Sequence, residues 1–162
     1  MPESASLSPR AAVTWGLFVA LIGGLVIAMA LHIIPVDASG DAPQWVGVLA
    51  GLAFVLAGAA IIVGFAVAGG AAPDGDLPPG TPFAVRLTQY LLGLGIVGLL
   101  TVIAAWVAFG PGHREFGITG LPLVRARSGE TMGRVVFGIG AVLSAIVFIA
   151  LGVASARRLR RR

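Results

Sequence analysis

The sequence predicts an all-α polytopic membrane bundle, a four-helix bundle spanning the bilayer, and three observations point there together. Of 162 residues, 57% are hydrophobic and 11% charged, the mean hydropathy is +0.99, and the apolar residues gather into four blocks of at least 20. A water-soluble domain of this composition lacks the polar groups to cover its surface. A block of that length crosses a hydrocarbon core about 30 Å thick at about 1.5 Å per helical residue.

The first span, about 11–34, runs up to Pro35, which cannot continue a helix. The second, about 45–68, follows Asp41-Ala42-Pro43, a helix-start signal. The turn between them is short, so the two pair antiparallel. Residues 69–83 form a Gly/Pro linker without apolar periodicity, read as flexible. The third span, about 85–109, is broken by Gly110-Pro111-Gly112, and the fourth covers about 133–154. An outer loop, 110–132, and a basic tail, 155–162, complete a single integral membrane domain over 1–162. Ala28-Met29-Ala30 resembles a signal-peptidase site, but the apolar run continues through Ile34 and makes the segment span length.

Charge sets the expected direction. All eleven basic residues are arginines, and five of them, Arg157, Arg158, Arg160, Arg161 and Arg162, lie in the last six residues. They are placed at the lipid headgroups rather than on nucleic acid. With Arg10 and Arg86 they outnumber Arg114, Arg125, Arg127 and Arg134 on the opposite side, so both termini are expected in the cytoplasm. Trp15 and Tyr90 then mark the inner interface, Trp45 and Trp106 the outer one.

Lipid tails are as apolar as Leu, so helices associate where small residues let backbones approach. Gly16, Ala20, Gly24 and Ala28 recur every four residues in the first span, Gly47 and Gly51 form a GxxxG in the second, and Gly138, Ala145 and Gly152 stand at heptad spacing in the fourth. These are expected packing faces, within the chain or between copies.

Chemistry-bearing groups are sparse. Cysteine is absent, which removes disulfides, thiolate metal sites and cysteine nucleophiles. No Asp, Glu or Arg lies deep in a span, and that argues against ion-coupled transport by a monomer. Thr14, Thr88, Gln89, Thr101 and Ser144 are the interior polar groups; Thr101 and Ser144 are expected well inside, bonding the preceding turn or lining a path. The outer loop holds His113, Arg114 and Glu115, the first choice for a partner-docking surface, and Arg125, Arg127, Glu130 and Arg134 are able to pair locally. His32 and His113 fall on the same side and are candidates for metal or haem, although no metal is assigned and no cofactor is expected. No catalytic constellation appears, so the chain is read as not an enzyme.

At Trp106-Val107-Ala108-Phe109-Gly110-Pro111-Gly112-His113-Arg114-Glu115-Phe116, and again from Gly133 to Ala141, the chain resembles small uncharacterised bacterial inner-membrane proteins with four spans. The resemblance implies a bacterial cytoplasmic membrane and supplies no active site. The expected function is a non-enzymatic accessory or structural subunit packing against other membrane proteins or against itself. A small oligomeric channel or transporter, or a haem or metal protein using His32 and His113, are the alternatives.

Overall fold

A helix in hydrocarbon must satisfy its own backbone and then find a face to pack, and the structure shows how far each span manages this. The computed structural model describes residues 8–35, 42–67, 80–112 and 130–160. They form α1 (Pro9–Ala30), α2 (Gln44–Ile61) continued by a π-helical turn (Ile62–Val67), α3 (Phe83–Phe109) and α4 (Glu130–Arg160). Among the described residues four helices are long and apolar enough to cross a membrane; the chain is a multi-pass, all-α membrane protein.

The helix ends differ from the apolar blocks for local reasons. Ser8 caps α1, its hydroxyl accepting from the Ala11 N–H at 3.3 Å, and Pro9 fills the first position, where an N–H would have no helical acceptor. At the other end regular helix stops at Ala30, four residues short of the end of the apolar block. His32 takes a left-handed φ of 57°. The N–H of His32 donates to the Met29 carbonyl at 3.0 Å and that of Ile33 to the Ala28 carbonyl at 2.9 Å, the paired bonds of a Schellman cap with histidine where glycine is usual. Hydropathy does not report a cap of this kind. α4, by contrast, outruns its apolar block at both ends, starting at Glu130 and carrying the tail to Arg160. Arginine is a good helix former, and cations favour the negative end of the helix dipole.

The helices pack in chain order. α1 lies on α2 and its π-turn, α2 and the π-turn lie on α3, and α3 on α4; among the described residues α1 touches neither α3 nor α4, and α2 does not touch α4. The bundle is thus an open row of antiparallel neighbours.

Its interior is built from the smallest residues. Ala12, Ala53, Ala108 and Ala141 are the buried hydrophobic side chains, no large side chain is fully buried, and thirty large apolar residues from Val13 to Val153 are exposed, all of this among the described residues. In water such a surface would aggregate; in a bilayer it faces lipid.

The closest approach joins α1 to α2. A Cβ added to Gly16 would lie 2.7 Å from the Gly58 carbonyl oxygen, and one added to Gly58 would strike the Gly16 carbonyl in return. Seven residues along, the pattern repeats: a Cβ on Gly23 would lie 2.5 Å from the Gly51 carbonyl oxygen and one on Gly51 2.6 Å from that of Gly23. Ala20 fits between, against Gly58, and Ala30 closes the far end of the seam against Gly47.

Gly24 stands apart from this seam. It is exposed, and an added Cβ meets nothing within 4 Å. The expected four-residue stripe therefore does not form one contact face. At about 3.6 residues per turn, a step of seven returns to within about 20° of the start, whereas the eight residues from Gly16 to Gly24 rotate about 80° away.

The α3–α4 seam is looser and uses knobs. Gly98 receives the Phe148 ring, 3.0 Å from an added Cβ, while Gly138 lies opposite Phe109 and Ala108, and Gly152 opposite Leu94. Ala145 is half-buried.

Substitution separates these roles. Gly58→Val is expected to destabilise the protein by about 1–3 kcal/mol through overpacking, whereas Gly24→Ala is expected to leave stability unchanged or slightly raised, because it removes glycine from a helix interior. Unfolding of both variants in mixed detergent micelles, followed by circular dichroism, checks the contrast.

Candidate functional site

Polar side chains that reach the helix packing cluster at the two ends of the row. Two contacts fix the antiparallel register of α2 and α3: Trp45 packs edge to face on Trp106 near the end of α3, ring centroids 5.6 Å apart, and Leu56 packs on Gly95 midway along it. That register brings the π-turn, Ile62–Val67, level with the first two turns of α3. On α3 Arg86 and Gln89 stand three residues apart, hence on one face.

Gln89 joins the helices. Its Nε2 donates to the Ala60 carbonyl at 3.3 Å, and Gly64, buried, leaves room for the amide, whose Nε2 would lie 3.1 Å from an added Cβ. A π-turn shifts the hydrogen-bond ladder of its helix, and such turns concentrate at functional sites. The Ala60 carbonyl stands just before that shift. Two side-chain atoms at the head of α3 are buried without a hydrogen-bond partner, Gln89 Oε1 and Arg86 Nε. An unpaired buried polar atom costs about 1–3 kcal/mol, so this end of the bundle is less completely satisfied than its backbone. Tyr90, next along α3, is half-buried.

The opposite end is fastened by Arg134 of α4. Its Nη1 donates to the carbonyls of Gly110 at 3.1 Å and Ala108 at 3.5 Å, its Nη2 to the Gly112 carbonyl at 2.6 Å, and its Nε to Glu130 Oε1 at 3.0 Å. Nη2 also lies 2.8 Å from that carboxylate oxygen. The last carbonyls of a helix lack intrahelical donors and carry its negative dipole end. A guanidinium from the next helix supplies both needs, with a planar fork that Lys does not have. Gly112 makes this turn possible with φ at 106°.

Other residues singled out from sequence are placed as follows. Thr101 Oγ1 donates to the Val97 carbonyl at 2.7 Å, Ser144 Oγ to the Ala141 carbonyl at 3.1 Å and Thr14 Oγ1 to the Arg10 carbonyl at 3.0 Å. All three hydroxyls bond their own helix, and none reaches a neighbour through these bonds. His32 is exposed at the end of α1; His113, Arg114 and Glu115 lie outside the described residues, so the structure does not bring the two histidines together or apart. Arg157 is exposed on the last turns of α4, where Arg158 and Arg160 continue the helix backbone, while Arg161 and Arg162 lie outside the described residues.

Sequence reading passed over the Arg86–Gln89 face. Its signal was an Arg and a Gln one turn apart at the head of an apolar run, which looks like an ordinary span flank until the π-turn is seen opposite. Comparison with protein-family models, curated proteins and solved structures finds no match.

Removal of the clamp at the α3 end is expected to be costly. Arg134→Ala should destabilise the α3–α4 hairpin by about 1–3 kcal/mol, and Arg134→Lys should recover less than half of that loss. Hydrogen exchange at residues 108–112, faster in both variants and fastest in Arg134→Ala, is the measurement.

Proposed function

We propose that the chain is a non-enzymatic accessory subunit of a bacterial cytoplasmic membrane assembly, with both termini in the cytoplasm. One observation carries the reading. The four helices form an open row in which α1 and α4 each pack on one neighbour, so a helix from another chain has an edge to join without displacing any contact. The small-residue faces favour the same role. Gly24 on α1 and Gly140 on α4 are exposed glycines with open space around them, and close backbone approach is the means by which helices associate in lipid.

Direction follows from arginine. Arg10, Arg86 and the carboxyl-terminal cluster share one side of a four-span chain, and the side richer in arginine stays in the cytoplasm. The outer loop, with His113, Arg114 and Glu115, is then presented to the periplasmic side as a docking surface. The five tail arginines meet anionic headgroups on the inner leaflet, where each is worth about 1 kcal/mol near the surface.

Native mass spectrometry of the tagged chain, extracted gently from its own membrane, tests the reading. A reproducible heteromeric complex is the expected result. A bare monomer, with nothing captured by crosslinking before extraction, overturns it; a homo-oligomer that conducts ions in liposomes replaces it with the channel alternative.

A further inference from the structure

The two unpartnered atoms at the head of α3 define a chemical complement. Arg86 Nε offers an N–H, Gln89 Oε1 offers a lone pair, and both atoms are buried. They stand about one turn apart on α3, and Gln89 reaches the neighbouring helix at Ala60 and Gly64, where the π-turn Ile62–Val67 begins. Arg86 itself is half-buried, so its guanidinium reaches the packing without being sealed from the surroundings. A ligand that fits must bring an anionic acceptor to Arg86 and a donor hydrogen to Gln89.

Depth narrows the choice. α3 has 27 residues, about 40 Å of helix against a hydrocarbon core of about 30 Å. Each end then projects about 5 Å into the headgroup layer. Arg86 is the fourth residue of α3 and falls at the boundary; Gln89 lies one turn deeper. A phosphodiester at the boundary, bearing a hydroxyl or ammonium group able to turn inward, matches both positions.

We propose that the Arg86–Gln89 face beside the π-turn binds the headgroup of an anionic phospholipid, Arg86 holding the phosphodiester and Gln89 Oε1 accepting a hydrogen bond from a headgroup hydroxyl. Gln89 is the specificity-determining residue. Its Nε2 is engaged by the Ala60 carbonyl, which fixes the amide so that the oxygen is the atom presented to the ligand. Gly64 is required because a side chain there would meet the amide. A choline headgroup carries the same phosphate but no donor hydrogen, so the site discriminates against it. The inference concerns this chain alone and holds whether or not the chain joins a larger assembly.

The test is lipid retention by the purified full chain in native mass spectrometry, with phosphatidylglycerol and phosphatidylcholine of identical acyl chains, and inorganic phosphate in a separate arm. One phosphatidylglycerol is expected to remain bound at an activation energy that strips phosphatidylcholine, with at least fivefold preference. Arg86→Gln should lower phosphatidylglycerol retention about tenfold, Gln89→Leu should bring the preference close to one, and Arg10→Gln, which removes a charge at the same end of the row, should change neither. Circular dichroism confirms that each variant is folded, and the headgroup preference of the unaltered chain stands as a readout independent of any variant. Equal retention of the two lipids by the unaltered chain overturns the proposal, leaving water as the partner of both atoms. Loss of preference in Arg10→Gln overturns it in favour of general charge attraction, and displacement of lipid by millimolar inorganic phosphate overturns it in favour of a free anion.

Discussion

Lipid offers no hydrophobic reward for bringing two apolar helices together, and this constraint shapes the protein at every level. What remains is dispersion between closely spaced atoms, and it rewards only helices that approach to backbone distance. Gly16 facing Gly58, and Gly23 facing Gly51, meet that requirement by placing carbonyl oxygens where a Cβ would otherwise stand. The large aliphatic and aromatic side chains are displaced to the outside, where thirty of them are exposed among the described residues. The result inverts a soluble domain, with glycine and alanine inside and leucine, isoleucine and phenylalanine facing the solvent, which here is lipid.

Once the glycine seam fixes the first hairpin, polar side chains fasten the ends. In both places the acceptor is a backbone carbonyl at a break in the helical ladder. Arg134 reaches the end of α3, where the last carbonyls have no N–H ahead of them, and Gln89 reaches Ala60, beside the start of the π-turn. Hydrocarbon makes an unsatisfied carbonyl expensive, so each irregularity of the backbone selects a donor from the neighbouring helix. The two ends differ in completeness. Arg134 finds acceptors for Nε and for both terminal nitrogens, while at the opposite end Arg86 Nε and Gln89 Oε1 are buried and unpaired. A complete structural fastening would leave neither atom without a partner, and the lipid-headgroup proposal rests on that difference.

Much of this fold was legible in the amino-acid sequence because length and apolarity are all a span requires. The four blocks, the break at Gly110-Pro111-Gly112 and the antiparallel pairing of the first two spans follow from those two properties. The helix ends were less legible, since the cap at His32 depends on a left-handed backbone that hydropathy does not record. Small-residue spacing named Gly16, Gly47, Gly51 and Gly138, each of which meets a neighbouring helix, but the seven-residue repeat that selects Gly23 over Gly24 becomes visible only with the partner helix in place. The site was hidden for a similar reason. Arg86 and Gln89 are ordinary flanking residues in sequence, and their meaning comes from a π-turn on another helix that no apolar pattern marks. His113, Arg114 and Glu115, chosen from the sequence as a docking loop, belong to the proposed function.

The open row is the feature on which the proposed accessory role rests, because it leaves α1 and α4 each with an edge that no other helix of the chain covers among the described residues. The absence of cysteine makes the geometry directly measurable in the membrane. Spin labels at Leu17→Cys on α1 and Val153→Cys on α4, both exposed positions near the same end of the row, can be diluted with unlabelled chain so that only distances within one molecule are read by pulsed electron resonance. Packed helices have axes about 8–10 Å apart. An open row predicts a label separation well beyond about 20 Å, two or more helix widths; a separation near about 10 Å would show α1 and α4 closed on one another and would contradict it.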